Sequence, residues 1–368
     1  MSKRSLAAVG AVVVSLLLAA CGSSTGGGGS SAPASGGSSS AAAGVQVGVI
    51  LPDTASSKRW ENNDRPLLQA AFDAAGVKAD IQNAQGDKAK WSTLCDQMIN
   101  EGVKVLVLVN LDSETGKACE TKAGAQGIKT IDYDRYTIGG SASYYVSFDN
   151  IAVGTAEGEG LVKCMKANGK TSGPVALLNG SPTDNNASLF KQGYEAAIKA
   201  AGYTIAADQS VPDWDNTKAG TIFEQMFTKA NGNFVGVDAA NDGLGGAVVA
   251  VLAKNGLAGK IPVTGQDATD EGLQRVLLGT QCVTVYKAIK QEADAASALA
   301  IALATGKEPT GVADSTPYPG QTKPSVLLKP VAIFPENVKD VVADGFTTAA
   351  NLCTTAALKA ACTKYGVS

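Results

Sequence analysis

The chain of 368 residues contains no histidine, and aromatic side chains make up only 5% of it. Without histidine, neither a Ser-His-Asp nor a Cys-His catalytic arrangement can form, and most zinc sites lose their usual ligand. The net charge is also small, at −3, so the chain has no basic surface for nucleic acid. These absences weigh against an enzyme and against a nucleic-acid-binding protein, and they predict a chain without a cofactor.

Motifs for nucleotide or metal chemistry are missing as well. The first strand-to-helix turn, residues 51–56, has no glycine, whereas a dinucleotide-binding fold places a GxGxxG pattern there. The glycine-rich residues 243–246 have the wrong spacing for that pattern. Residues 184–187 (Asp-Asn-Asn-Ala) lack the alternating oxygen ligands and the distal Glu of a calcium loop. We therefore expect a binding protein rather than an enzyme, and no metal site.

The N-terminus has the pattern of an export signal. Lys3 and Arg4 precede a short apolar stretch that ends in Leu-Ala-Ala-Cys at residues 18–21. This stretch is shorter than the about 20 apolar residues of a membrane span. Residues 18–21 resemble the bacterial lipobox, which implies a signal peptide over 1–20 and lipid attachment at Cys21. The alternative is an ordinary signal peptide with a chance cysteine.

The residues that follow predict a tether. After Cys21, the chain up to residue 44 is almost entirely Gly, Ser and Ala, so 21–44 is expected to be a lipidated cysteine with a flexible linker. A linker of this length reaches about 25–30 Å. The folded part then covers 45–368. The predicted location is exported and anchored to the outer face of the cytoplasmic membrane, with the lipid as the sole membrane contact.

Six further cysteines follow Cys21, and an even number in an exported chain predicts disulfides. They allow fifteen pairings, and reduced, buried thiols are the alternative. The first two lie on helices expected to be neighbours, the last two close a short loop, and the middle two remain by elimination. The expected pairs are Cys95–Cys119, Cys164–Cys282 and Cys353–Cys362.

From residue 45 onward, short apolar runs alternate with amphipathic segments, which indicates βαβ units on parallel sheets. The alternation restarts after residues 144–148, so the chain is predicted to hold two consecutive α/β arrays. The predicted helices are 61–75, 87–101, 113–126, 151–168, 184–201, 216–230, 243–255, 269–278 and 288–305. The predicted strands are 45–51, 79–84, 103–110, 128–133, 144–148, 175–178, 204–207, 234–237, 261–264 and 282–286. Six prolines interrupt the tail after 305, where 326–333 is the one predicted strand.

Ligands of parallel-sheet proteins bind beyond the carboxyl ends of the strands. At those positions this chain carries mainly Asp, Asn, Gln and Arg, which are hydrogen-bonding groups without a nucleophile. The positions are 53 and the residues that follow it, 110–112, 134–135, 180–186, 241–242 and 266–267.

Four stretches together carry a family resemblance. They are Lys58-Arg59-Trp60; Tyr133-Asp134-Arg135 with 147–150; Gly-Ser-Pro-Thr-Asp-Asn-Asn-Ala at 180–187; and Ala240-Asn241-Asp242 with 265–267 and 285–287. In order and spacing they resemble the type I periplasmic sugar-binding proteins of bacterial ABC transporters over about residues 45–345. The Asp-Asn-Asn part points to the D-xylose-binding branch. The cysteines, the linker and the tail beyond Phe346 depart from the family pattern.

The resemblance implies two Rossmann-like lobes joined by three hinge segments near 150, 287 and 322. The expected lobes are 45–150 with 288–322, and 151–287 with 323–368. A monosaccharide, D-xylose in first place, would bind in the cleft, and the closed form would deliver it to an ABC permease and its ATPase. The protein is expected to act as a monomer. The alternatives are another aldose (glucose, ribose, arabinose or galactose) or a sugar-sensor subunit for a signalling receptor.

Ten residues are expected to bind the sugar. Trp60 and Trp214, one in each lobe, would cover the two apolar faces of the ring. Arg59 and Arg135 would each donate paired hydrogen bonds to adjacent hydroxyls. The other six, at the edge of the sugar, are Asp134, Asp184, Asn186, Asn241, Asp267 and Lys287.

Each of these assignments has a structural alternative. The tryptophans could cover a local core, an Arg after a strand is often a surface ion pair, and Lys287 could be solvated. Asp184 and Asn186 begin a helix, where capping is the ordinary role. We expect Thr183 or Asn185 to take that local role instead. Trp91 lies within a helix and is expected to be a packing residue.

Overall fold

The structure, a computed structural model, describes residues 44–368, so the predicted signal peptide, Cys21 and most of the linker lie outside the described residues. The strands in this range are β1 Val47–Leu51, β2 Ala79–Asn83, β3 Val105–Leu108, β4 Lys129–Tyr133, β5 Tyr144–Phe148, β6 Pro174–Asn179, β7 Thr204–Ser210, β8 Gly236–Ala239, β9 Thr284–Tyr286, β10 Ala313–Tyr318, β11 Gln321–Leu328 and β12 Val331–Ile333. The α-helices are α1 Arg65–Ala74, α2 Lys88–Asn100, α3 Ser113–Ala125, α4 Asn150–Ala167, α5 Asn185–Ala200, α6 Asn216–Lys229, α7 Asp242–Lys254, α8 Asp270–Leu277, α9 Ile289–Ala304, α10 Val338–Ala343, α11 Ala349–Leu352 and α12 Ala356–Tyr365. A π-helical turn covers Trp60–Asp64, and 3₁₀ turns cover Pro212–Trp214 and Pro335–Asn337.

Seven strands form the sheet of the first lobe, in the order β10-β11-β5-β4-β3-β1-β2. All neighbours are parallel except β10 and β11, which pair antiparallel at one edge. β1 and β3 are buried along their whole length, as parallel strands covered on both faces are. Apolar residues of α1 and α9 pack on one face, and those of α2 and α3 pack on the other.

The second lobe is built on the parallel strands β7-β6-β8. The strand predicted at 261–264 is reduced to an isolated parallel bridge between Val237 and Val263. Pro262 lies inside that segment and has no N–H for a longer ladder. A second bridge joins Gln266 to Val285, and β9 pairs antiparallel with β12. The two α/β lobes predicted from the alternation are therefore present.

The third hinge lies later than expected. It was predicted near residue 322, but β11 stays in the first sheet as far as Leu328, which pairs with Phe148 of β5. The chain enters the second lobe at 329–330, before β12 begins at Val331. Residues 323–328 belong to the first lobe, because 325–328 pair with β5 and 323–324 pair with β10 in the first sheet.

The C-terminal tail is more helical than predicted. After the 3₁₀ turn at Pro335, the short helices α10, α11 and α12 pack with α8 and β12 around an apolar core that includes Leu352 and Leu358. The three disulfides have the expected pairing, and Cys353–Cys362 ties α11 to α12.

Helices α4 and α5 approach each other through glycine. A Cβ added at Gly154 would overlap the carbonyl oxygen of Phe190, and one at Gly193 would overlap that of Ile151. The two backbones can approach this closely because both positions lack a side chain. This packing fixes α5, whose first two turns carry Asn186 and Phe190 into the space between the lobes.

Candidate functional site

A cavity with an empty volume of about 330 Å³, including its open mouth, lies between the two lobes. All ten residues expected to bind a ligand line it: Arg59, Trp60, Asp134, Arg135, Asp184, Asn186, Trp214, Asn241, Asp267 and Lys287. They meet because they follow the carboxyl ends of strands, as the parallel-sheet rule predicts. Four further residues line the same cavity: Ser56, Ser57, Phe190 and Gln266.

Sequence reasoning missed these four for different reasons. Ser56, Ser57 and Gln266 lie on the predicted strand-end segments, but small or amide side chains there gave no signal that separated them from ordinary loop residues. Phe190 lies one turn after Asn186 on α5, and its apolar side chain is typical of a helix face packed on the core. The i, i+4 spacing to Asn186 was the one available signal that it shares the cavity face.

Arg59 is held by three buried carboxyl groups. Its Nε and Nη2 donate to the two oxygens of Asp64 at 2.9 and 2.7 Å, Nη2 also donates to Glu292 at 2.5 Å, and Nη1 donates to Asp134 at 2.7 Å. Burial acts to lower the pKa of Arg59, but these carboxylates hold it well above its ordinary value. A guanidinium has five N–H groups, so one remains for a ligand in place of the expected pair.

Glu292 lies behind Arg59 and has an unusual environment for a carboxyl group. It is fully buried, and its Oε1 has no hydrogen-bond partner. Burial raises its pKa to about 8, with Arg59 acting to lower the value and Asp134 acting to raise it. Burial therefore favours the protonated form of this carboxyl group, while the neighbouring Arg59 guanidinium favours the ionised form.

Lys287 and two aspartates form the centre of the cavity. The Nζ atom of Lys287 lies 3.0 Å from a carboxylate oxygen of Asp267 and 4.0 Å from one of Asp134. Burial acts to lower the pKa of Lys287, but Asp267 and Asp134 raise it above its ordinary value, so the ammonium stays charged. Burial also acts to raise the pKa of Asp134, and Arg59, Lys287 and Arg135 lower it. The solvated alternative for Lys287 is wrong, because the side chain is only 5% exposed.

Asp184 has two roles. Its Oδ1 caps α5 by accepting from the N–H of Asn186 at 3.0 Å, while its Oδ2 accepts from the indole of Trp214 at 3.1 Å and lies 3.1 Å from Nε of Arg135. The expectation that Thr183 or Asn185 would cap the helix is therefore wrong. Asp184 reaches both sides because a capping residue uses only one oxygen of its carboxylate.

Asn241 is likewise a helix cap. Its Oδ1 accepts from the N–H of Leu244 at 2.8 Å at the start of α7, and its Nδ2 lies 3.5 Å from the carbonyl oxygen of Ser56 in the other lobe. The NH₂ group of the Asn241 side chain therefore faces the first lobe, and the side-chain oxygen already accepts the capping hydrogen bond.

The two tryptophans differ in their surroundings. The indole N–H of Trp60 donates to Ser56 at 3.1 Å, and the Arg59 guanidinium lies 4.4 Å from the Trp60 ring centroid. Trp214 packs edge-to-face on Phe190, with centroids 6.5 Å apart. Trp91, by contrast, is fully buried in the first lobe and donates to the carbonyl of Val109, which fits the predicted packing role.

Several cavity atoms are buried without a full set of partners. Oδ1 of Asn186 and Oε1 of Gln266 accept no hydrogen bond, and Nε of Arg135 and Oδ1 of Asp267 have ion-pair neighbours but no hydrogen bond of good geometry. A buried polar atom without a partner is costly, so these four atoms are places where a polar ligand would gain hydrogen bonds.

Backbone strain concentrates at the same place. Asp134, Trp214 and Asp267 have φ values of 61°, 55° and 96°, in the left-handed region that residues with a side chain rarely adopt. Strained backbone persists where the surroundings hold it, and it is frequent at functional sites.

The lobes contact each other directly around the cavity. From the second lobe, Nδ2 of Asn186 donates to the carbonyl oxygen of Asp134 at 2.9 Å, and Nδ2 of Asn185 donates to Oγ of Ser113 at 2.6 Å and to the carbonyl oxygen of Tyr136 at 2.8 Å. The structure is therefore a closed form of the cleft.

Within residues 44–368, no group of three or more acidic or sulfur side chains is arranged to hold a metal ion. No helix in that range is long and apolar enough to cross a bilayer.

The amino-acid sequence of the chain matches a known protein family. Residues 47–308 match the model of the periplasmic binding protein domain. The chain is 34% identical over 308 residues to the D-xylose-binding periplasmic protein of Escherichia coli K12, an alignment covering 82% of this chain and 91% of the relative. The corresponding protein of Haemophilus influenzae is 33% identical, with 83% and 91% covered.

A solved structure shows the same fold. The carbohydrate transporter solute-binding protein of Chloroflexus aurantiacus, in complex with D-glucose, superposes with a TM-score of 0.74 at 26% identity, covering 83% of this chain and 97% of that one. These proteins bind solutes and are not enzymes. The chain belongs to the type I periplasmic sugar-binding proteins, as its sequence motifs indicated.

Proposed function

We propose that this chain is the solute-binding component of an ABC importer that captures a neutral monosaccharide, with D-xylose favoured. The observation that carries the proposal is the charge balance of the cavity wall. Three cations (Arg59, Arg135 and Lys287) stand against three carboxyl groups (Asp134, Asp184 and Asp267). A wall whose charges cancel favours an uncharged polar ligand over a sugar phosphate, a sugar acid or an amino acid.

The binding mode follows from the free atoms and the rings. The unpaired groups on Arg135, Asn186, Gln266 and Asp267 would exchange hydrogen bonds with sugar hydroxyls, because a pyranose presents hydroxyls around its edge. Trp60, Trp214 and Phe190 would contact its C–H faces. All ten predicted residues are proposed to serve the site, with Arg59 acting mainly by holding Asp134.

D-Xylose is favoured because two relatives with more than 30% identity are named for it. Another aldose remains the second candidate, since a structural relative was solved with D-glucose. A calorimetric titration of the purified protein with D-xylose, D-glucose, D-ribose, L-arabinose and D-galactose tests both. We expect one or two aldoses to bind; no response to any of them would reject the sugar assignment.

Trp214→Ala tests the proposed site. A central aromatic contact removed from a binding site typically costs about 2 kcal/mol or more, so we expect affinity for the best sugar to fall at least about 30-fold. Gly220→Ala, in α6 and outside the cavity lining, is the matched control, because nothing lies within 4 Å of the added Cβ. Unchanged affinity in Trp214→Ala with normal folding would reject the site.

We further propose that the two lobes exchange between open and closed forms, that sugar binds the closed form better, and that the closed form docks on the permease. The protein would be exported and held by lipidated Cys21 on the outer face of the membrane, acting as a monomer. Cys21→Ser is expected to release the protein from the membrane fraction into the medium or periplasm. Continued retention would argue against the lipid anchor.

A further inference from the structure

The ring of Trp214 lies directly against the backbone of Gly180, in the loop after β6. A Cβ built on Gly180 would overlap three atoms of the six-membered ring of the indole, Cη2, Cζ2 and Cζ3. The backbone of Gly180 is outside the left-handed region, so any residue could adopt its conformation. Glycine is therefore required here for space and not for its φ angle.

Other contacts hold the ring in this place. Its N–H donates to Asp184, its backbone has a positive φ of 55°, and the preceding Asp213 also has a positive φ, of 60°. The N–H of Asp213 donates to Oγ of Ser181 at 3.1 Å, which ties this loop to the residue after Gly180. These contacts hold the indole N–H and the backbone of Trp214. The position of the six-membered ring then depends on the space that Gly180 leaves next to it.

Gly180 stands on the side of the ring away from open space. It lines neither the cavity nor the neighbouring groove whose lining includes Ser181 and Asp213, whereas Trp214 lines both. A methyl group at 180 would push the ring toward those spaces by roughly 1–2 Å, because carbon atoms need about 3.5–4 Å of separation.

We propose that Gly180 is a positioning residue that determines how far Trp214 projects into the cavity, and thereby sets the size of sugar that the site accepts. The inference rests on the proposed function, because it concerns the specificity of the same cavity. With glycine at 180 the ring is set back and the cavity is at its widest. With a larger residue the cavity would be narrower, and bulkier aldoses would be excluded first.

The test is a double-mutant cycle of Gly180→Ala and Trp214→Phe, measured by calorimetry with D-xylose and D-glucose on the purified protein. Gly180→Ala should weaken D-xylose binding at least about 10-fold, because one extra methylene in a packed apolar pocket costs roughly 10–200-fold. D-Glucose carries an additional CH₂OH group, so its binding should fall by a larger factor. Adding Trp214→Phe removes the overlapping atoms, so the double variant should bind like Trp214→Phe alone. Gly220→Ala should bind like the wild type.

Each outcome decides the inference. Additive losses in the cycle, or equal losses for both sugars in Gly180→Ala, would overturn it. If the wild type binds only D-xylose, the cycle with that sugar decides alone. If Gly180→Ala does not fold, the double variant must fold and bind; failure of both overturns the inference. A wild type that binds no sugar would refute the proposed function instead, so the two failures are distinguishable.

Discussion

Replacing Asn185 by alanine isolates the closure of the lobes from contact with the ligand. Asn185 is the first residue of α5 and does not line the cavity. Its amide nevertheless bridges the lobes, through Ser113 at 2.6 Å and the carbonyl oxygen of Tyr136 at 2.8 Å. Both partners belong to the first lobe, so the two bonds exist only when the cleft is closed.

The magnitude follows from these two bonds. Each partly buried hydrogen bond contributes about 0.5–1.5 kcal/mol, so their loss shifts the balance toward the open form by about 1–3 kcal/mol, or roughly 5–150-fold. The apparent Kd is the intrinsic Kd divided by the fraction of competent protein. If the free protein is mainly open, the whole shift appears in the affinity. Because Asn185 does not line the cavity, the factor should be the same for every sugar.

The assay combines two measurements. Calorimetry with two sugars gives the ratio of variant to wild-type Kd for each, and small-angle X-ray scattering gives the closed fraction before and after saturation. Ser188→Ala is the matched control on the same helix, because its Oγ bonds only to the carbonyl oxygen of Asn185 within α5. Alanine at 185 leaves the cap of the helix, Asp184, in place.

Two results would refute this reasoning. If Asn185→Ala weakened one sugar and spared the other, the residue would act on the ligand and not on closure. If neither the affinity nor the scattering profile changed, the two bridging bonds would not be coupled to closure at all.

Two further predictions concern stability. Removing the Cys164–Cys282 disulfide, which spans 118 residues, should lower the free energy of unfolding in urea by about 4.9 kcal/mol. Removing Cys353–Cys362, which spans 9, should lower it by about 2.6 kcal/mol, because a shorter loop loses less chain entropy when it is closed. Equal losses would contradict the chain-entropy account. The raised pKa of Glu292, about 8, means that the folded protein binds more protons than the unfolded chain between the ordinary glutamate pKa and pH 8. Stability should therefore fall as pH rises through that window. Thermal melts from pH 5 to 9 should show a smaller fall in Glu292→Gln; an unchanged pH profile in that variant would contradict the assignment.

Much of the fold could be predicted because the signals are local. The first three predicted helices each end one residue before a glycine, at Gly76, Gly102 and Gly127, and all three glycines have the positive φ that commonly ends a helix. The misses have long-range causes. The edge strand β10 contains Pro317 and reads as a loop, although proline is tolerated at the edge of a sheet. The extent of β11, and with it the third hinge, depends on a partner strand about 180 residues earlier in the chain.

The site shows a sharper limit of sequence reasoning. From residue type and strand position, ten residues could be predicted to lie at one site, and all ten line the cavity. Those two signals could not distinguish a side chain whose donors are free for a ligand from one whose donors are taken up by neighbouring side chains. Arg59 is the clearest case, because four of its five N–H groups already reach Asp64, Asp134 and Glu292. Arg135 has the same chemistry and the same kind of position, yet its bonds to Asn110 and Ser56 are long, at 3.2 and 3.3 Å.

The difference between the two arginines comes from what surrounds them. Asp64, one turn further along, and Glu292, from a helix more than 200 residues away, both form ion pairs with Arg59, whereas the ion pair of Arg135 is with Asp184. A buried charge that has lost its partner costs about 3–5 kcal/mol, so the carboxyl groups around Arg59 hold it more firmly than a neutral hydroxyl could. A sugar hydroxyl can exchange with the long bonds of Arg135 at little cost. The arginine that we propose for ligand recognition, Arg135, is therefore the one with fewer ion pairs, which is a property of the folded chain and not of the motif.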